Sequence, residues 1–253
     1  MYRVILCAAA ALSLATTVPH AAAADDRDVC EHYQRGDEAI EACSRLLALN
    51  PNDASSYFAR GSNYINKGNY DQAISDFDQV IRLDPNYAAS AYVNRGHAYI
   101  RKGDYDRAIS DFDQAIALHP NDASAYNHRG SAYYSKGDYN RAISDYDQAI
   151  RLAPHLAFAY NNRGRAYYGK GDYDRAISDY DQVIRLAPQL ALAYNNRGEA
   201  YEARNDPEHA IADFDKALKL DPSLATARQG LERVQELLAK RSNPGTQTNP
   251  PTR

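Results

Sequence analysis

Residues 123–156 read ASAYNHRGSAYYSKGDYNRAISDYDQAIRLAPHL, and residues 157–190 read AFAYNNRGRAYYGKGDYDRAISDYDQVIRLAPQL. The two segments agree at 27 of 34 positions. The same period runs outward in both directions. Pro51, Pro85, Pro120, Pro154, Pro188 and Pro222 are separated by 34, 35, 34, 34 and 34 residues, and Arg-Gly pairs end at Gly61, Gly96, Gly130, Gly164 and Gly198. Ala88 is the single inserted residue. A period of this length marks a repeat architecture, in which each unit buries its apolar face only against its neighbours.

The units begin at Ala54, Ala89, Ala123, Ala157 and Ala191. Within each, positions 4, 8 and 11 are Tyr, Gly and Tyr, spaced to share one face of a first helix, and positions 20, 24, 27 and 28 do the same for a second. Gly inside a helix costs about 1 kcal/mol relative to Ala, so a repeated Gly at position 8 implies an approach by the second helix that is too close for a side chain. Lys-Gly-Asp or Lys-Gly-Asn ends the first helix with a residue suited to left-handed backbone, and its Asp or Asn caps the second. The last unit uses Asn205-Asp206-Pro207 for the same purpose, with Pro at the first helical position.

This pattern resembles the tetratricopeptide repeat family. Tyr57, Tyr92, Tyr126, Tyr160 and Tyr194 occupy the family's position 4, and Ala73, Ala108, Ala142, Ala176 and Ala210 its position 20. Position 24 is Phe or Tyr and position 32 is Pro, while position 7, usually Leu in the family, is always Arg here. The resemblance implies an all-α solenoid of helical hairpins. The expected organisation is a signal peptide over 1–24, a degenerate first hairpin over 25–53 and five repeats (54–87, 89–122, 123–156, 157–190 and 191–224). A capping helix over 225–241 and a disordered tail over 242–253 complete it. Ala39, Ile40, Leu46, Leu47 and Pro51 fit the second half of the first hairpin. Ser223 is expected to cap the final helix, with Leu231, Val234 and Leu238 covering the last hairpin.

At the N-terminus Arg3, the apolar run Val4–Val18, Pro19 and the small residues Ala22, Ala23 and Ala24 read as a secretory signal cleaved before Asp25. The apolar run is short for a membrane span, and no span is expected after cleavage. The location implied is periplasmic, with secretion as the alternative. The formal charge of -4, less Arg3, leaves about -5 on the mature chain, with no basic footprint for nucleic acid. Cys30 and Cys43 remain, an even number in an exported chain, equally far from a turn at Gly36-Asp37. A disulfide between them is expected.

No catalytic constellation, phosphate loop or metal-ligand spacing is legible, so no enzyme, cofactor or metal is expected. His97 and His128 can approach across adjacent first helices, and read as solvated groove side chains. The Ser and Asp of the repeated Ile-Ser-Asp-Tyr-Asp read as solvated surface. The repeated Arg60, Arg95, Arg129, Arg163 and Arg197 read as an ion-pair ladder with Asp at position 23 or 25.

Comparison of the repeats with one another locates a binding surface. In the quoted pair the differences fall at positions 2, 6, 9, 13, 18, 27 and 33. The first four make one stripe on the first helix, while positions 22, 25 and 26, on the outward side of the second helix, do not change. In the tetratricopeptide family this stripe lines the concave groove that receives peptides. It carries Asn94, Asn162 and Asn196 with His128 at position 6, Asn127, Asn161 and Asn195 at position 5, Arg165 and Glu199 at position 9, and Tyr168 beside them. The position-6 series resembles the asparagine ladder by which some family members hold a peptide backbone, since a carboxamide offers both donor and acceptor. The family's clamp for terminal carboxylates, Lys at position 5 and Asn at position 9, is absent. The function implied is that of a scaffold or adaptor of the cell envelope that binds a protein or an extended peptide. The alternatives are a holdase-like chaperone and a self-associating structural solenoid.

Overall fold

The computed structural model describes residues 20–31 and 36–242. The expected signal region before residue 20 and the tail beyond 242 lie outside the described residues. The described residues form thirteen α-helices and no strand. They fall into two compact units that divide between Leu83 and Asp84.

The first unit holds the hairpin of α1 (His20–Glu31) and α2 (Asp37–Leu49), followed by that of α3 (Ala54–Lys67) and α4 (Tyr70–Leu83). Its buried cluster is Cys30, Ala42, Cys43, Leu46 and Ala59. Ala39 and Leu47 are also buried, as the sequence implied, and Ile40 is half-buried. The structure joins Cys30 to Cys43 across the two helices, with a Cα–Cα separation of 4.8 Å.

The second unit stacks α5 (Ala88–Lys102) with α6 (Tyr105–Leu118), α7 (Ala123–Ser135) with α8 (Tyr139–Leu152), α9 (Ala157–Gly169) with α10 (Tyr173–Leu186), and α11 (Ala191–Ala203) with α12 (Pro207–Leu220). The last helix, α13 (Ala225–Ser242), packs on α12. Val234 is buried against Phe214 and Ala227, with Leu224 and Leu231 beside them.

The turns follow the expected chemistry. Gly68, Gly103, Gly137 and Gly171 take φ of 78 to 80°, and Asn205 takes 65°, in the left-handed region that Gly and Asn tolerate. Asp104, Asp138, Asp172 and Asp206 each accept a hydrogen bond from the backbone N–H three residues on. Ser223 departs from expectation: its N–H and hydroxyl both donate to Asp221 Oδ1, and α13 starts at Ala225 without it.

Packing refines the reading of the core. The fully buried positions of the first helices are 3, 8 and 10, as in Ala159, Gly164 and Ala166, while the Tyr residues at positions 4 and 11 are mostly half-buried. The position-8 glycines each meet first the aromatic ring of position 24. A Cβ on Gly164 would stand 2.8 Å from the Tyr180 ring, closer than carbon atoms approach. Each position-24 ring therefore fills the space a side chain would take, which is why Gly is kept despite its helix penalty.

Candidate functional site

The repeated Asp at position 23 is not on the surface. Asp76, Asp111, Asp145, Asp179 and Asp213 are all buried. Each receives two hydrogen bonds from the position-7 Arg of its own hairpin; for Arg163 and Asp179 they measure 2.9 and 2.6 Å. The expectation of solvated side chains fails at this position because an Arg sixteen residues earlier reaches it. Position 22, occupied by Ser110, Ser144 and Ser178, is exposed as expected. Arg129, Arg163 and Arg197 use their remaining nitrogen on Asp113, Asp147 and Asp181 of the preceding hairpin, at 2.5 to 2.6 Å. Each guanidinium thus closes its own hairpin and ties it to the one before. Burial pushes the Asp179 carboxyl up, and the Arg163 hydrogen bonds and charge only partly offset this.

With the Arg series committed to the frame, the first-helix stripe of the 84–253 unit is the candidate site. Its carboxamides are partly committed as well. Asn162 Nδ2 donates to Asn127 Oδ1 at 3.1 Å, and Asn196 Nδ2 donates to Asn161 Oδ1 at 3.0 Å. The position-6 amide of one hairpin is therefore spent on the position-5 carbonyl of the hairpin before it. Asn127 and Asn195 are only 5% and 2% exposed and do not present a free amide to the stripe. Asn94 turns its amide to its own helix, donating to the Ser90 carbonyl at 2.9 Å. The series expected to read a ligand is thus also a seam between hairpins.

His97 and His128 do come together, with ring centroids 4.1 Å apart in an edge-to-face pair, and both contact the Phe112 ring. They are half-buried, contrary to the solvated reading, and His97 Nε2 is buried without a hydrogen-bond partner among the described residues. Burial, followed by the charge of His97, lowers the His128 pKa to about 4, and burial lowers that of His97. Among the described residues no group of three metal-ligating side chains forms.

Toward its C-terminal end the stripe carries large exposed side chains. Arg165 is exposed and lies over the Tyr134 ring, 4.9 Å from its centroid. Tyr168 is 38% exposed. Glu199 accepts from Asn195 Nδ2 at 3.0 Å. Position 2 adds Phe158 and Leu192, 44% and 47% exposed. The sequence reading did not select these two, although Ser124 against Phe158 was one of its seven differences. Glu202 and Arg233, which form a two-bonded ion pair at 2.5 Å, were likewise missed because they belong to the end of the array. Among the described residues no helix is long and apolar enough to cross a membrane.

Comparison with known proteins places the repeats. A tetratricopeptide repeat family matches residues 93–157 and 161–225, and a second family described as TPR repeat matches 61–103. No curated protein matches the chain. Among solved structures, MamA is 31% identical over 65% of this chain and 96% of its own, with a TM-score of 0.59. YrrB, described as a TPR protein with an unusual peptide-binding site, is 24% identical over 77% of this chain and all of its own, with a TM-score of 0.60. A chain of the APC/C hetero-tetramer Cut9-Hcn1 is 23% identical over 85% of this chain, with a TM-score of 0.70; the present chain spans 43% of that one. The last two likenesses, under 25% identity, concern the fold alone.

Proposed function

Because the chain belongs to the tetratricopeptide repeat family, we propose that it is an exported scaffold or adaptor whose first-helix stripe holds an extended segment of a partner protein. The observation that carries this reading is the one-sided divergence of near-identical repeats. The stripe changes at positions 2, 6, 9 and 13, while the exposed Ser144 and Ser178 on the second helices stay the same. The exposed Phe158, Arg165, Tyr168 and Leu192 supply apolar, aromatic and charged contacts, and the side-chain carbonyl oxygens of Asn94 and Asn162 supply acceptors for backbone N–H groups. Backbone recognition of this kind gives modest affinity and broad tolerance, since each hydrogen bond contributes a net of about 0.5–1.5 kcal/mol.

Export rests on the signal-like Val4–Val18 run and the small residues before Asp25. Among the described side chains of α1, Asp26 pairs with Arg45, Arg27 with Asp53 and Cys30 with Cys43. A cleavage before Asp25 keeps all of them. The Cys30–Cys43 pairing suits an oxidising compartment.

The carboxamide seam changes how the site is tested. Replacing Asn162 and Asn196 by Ala loosens contacts between hairpins as well as the groove, so partner capture is better probed at exposed positions outside the carboxamide seam. A photo-crosslinking amino acid at 165 or 168 should capture the partner in intact cells, whereas the same group at 144 or 178 should not. Capture from 144 and 178 alone would put the ligand on the second helices and overturn the reading.

A further inference from the structure

The helix α13 does more than cap the array: it completes a cleft lined by Tyr168 of α9, Glu199, Glu202 and Ala203 of α11, and its own Arg233. Arg233 stands at the register of position 9, so Arg165, Glu199 and Arg233 follow one another at intervals of 34 residues with alternating charge. The two cations are engaged. Arg165 lies over Tyr134, and Arg233 is held by both oxygens of Glu202. Glu199 is different. It makes no direct ion pair among the described residues; the Asn195 amide donates to it, and Arg233 acts on it only by charge. With Glu202 and Arg233 cancelling, Glu199 leaves the cleft a net negative charge beside the open Tyr168 ring.

Asn195 supplies a second sign that a donor is missing here. In the two preceding hairpins the position-5 carbonyl receives the position-6 amide of the next: Asn127 from Asn162, and Asn161 from Asn196. After Asn195 the corresponding residue is Gly230, which carries no amide side chain. A side chain there would collide with the Phe214 ring, 2.5 Å from a built Cβ. Asn195 Oδ1 is left buried without a hydrogen-bond partner among the described residues, in the side chain that holds Glu199.

We propose that the cleft between α9, α11 and α13 is a specificity pocket for a lysine or arginine side chain of the bound peptide, with Glu199 as its counter-ion and the Tyr168 ring as its wall. An unpaired carboxylate next to an exposed aromatic face is the pairing a cation recognises, by charge and by the negative face of the ring. The inference deepens the groove reading and takes the partner to be a peptide. It predicts register: a basic residue of the ligand lies opposite the last hairpin, and apolar residues lie near Phe158 and Leu192.

The test uses the isotope-labelled full mature chain and three small probes: N-acetyl-lysine methylamide and its norleucine and glutamate counterparts. The lysine probe should shift the backbone amide signals of Tyr168, Glu199 and Ala203, and the other two should not. Glu199→Gln should weaken the lysine probe about fivefold without changing the melting temperature. Equal shifts with norleucine would make the cleft a merely apolar contact, stronger shifts with glutamate would make Arg233 its determinant, and no shift with lysine would remove it. Each of these overturns the pocket. The groove reading is judged separately, by crosslinking from 165 and 168. Capture there without lysine selectivity leaves the groove and removes the pocket, and the converse removes the groove.

Discussion

The first hairpin and the α9–α10 hairpin close the same gap by different chemistry. Cys43 stands 34 residues before Phe77, at the register where α10 carries Tyr180. In the α9–α10 hairpin that register is filled by a buried ring lying on Gly164, and a guanidinium–carboxylate bridge locks the two helices beside it. In the first hairpin the ring is gone, and Cys43 meets Cys30 across the gap instead. Ser44 stands where the repeats have Asp at position 25, and Arg60 of α3 donates to its hydroxyl at 3.0 Å. An interior hairpin is supported on both sides and holds its helices by packing. In the first hairpin the Cys30–Cys43 link stands where the interior hairpins place that buried ring.

If this contrast is right, the interior hairpin should suffer most from losing its ring. Tyr180→Ala leaves a cavity under Gly164 and should cost about 3–5 kcal/mol in urea unfolding. A loss under about 1 kcal/mol would mean that the ring is not what joins the helices.

Next in size is the bridge. Arg163→Ala strands the buried Asp179 and should cost about 3 kcal/mol, while the double change Arg163→Met with Asp179→Leu should recover much of that loss. If the double variant is no more stable than the single one, the pair contributes net stability instead of only avoiding an unpaired charge.

For the first hairpin, Cys30→Ser with Cys43→Ser should cost about 2–3 kcal/mol, read as a drop in melting temperature of the mature protein without reductant. Reductant should lower the wild-type value toward that of the variant and leave the variant unchanged. An unchanged wild type, or two freely titrating thiols in the denatured protein, would show the crosslink to be absent.

The smallest effect concerns the α5–α7 contact, where His97 and His128 replace the amide seam. The folded His128 pKa is about 4, below the ordinary 6.5, so the unfolded chain binds the proton first as pH falls. Stability from this group is complete above about pH 6.5 and is lost progressively as pH falls toward 4. His128→Asn, which copies Asn162, should remove about 2 kcal/mol of that pH dependence, measured by urea unfolding at pH 7 and pH 4.5. Identical slopes for the two proteins would show that the histidine is solvated after all.

Much of the frame was readable because its causes are local. Gly137 and Gly171 announce left-handed helix ends, Asp138 and Asp172 announce caps, and a 34-residue period announces stacked hairpins. The site was read less completely. Asn162 and Arg165 lie on the stripe as expected, but periodicity names only a face and not which neighbour a side chain reaches. Asn127 and Asn195 share position 5 with Asn161 in a plausible ladder, yet they are buried while Asn161 is half-buried, a difference that spacing along the chain does not carry.

What the sequence determined by itself was the period, the two helices of each unit, their turns and the preference of position-7 Arg for Asp, since each follows from spacing along one or two helices. Only the tertiary structure decided that Asp179 is buried while Ser178 beside it is exposed, that the Asn162 amide is spent on Asn127 thirty-five residues away, and that Arg233 of the last helix neutralises Glu202 and leaves Glu199 unpaired. These outcomes depend on three helices meeting at once. A side chain at such a junction chooses among partners by distance, and the order of residues along the chain does not encode that distance.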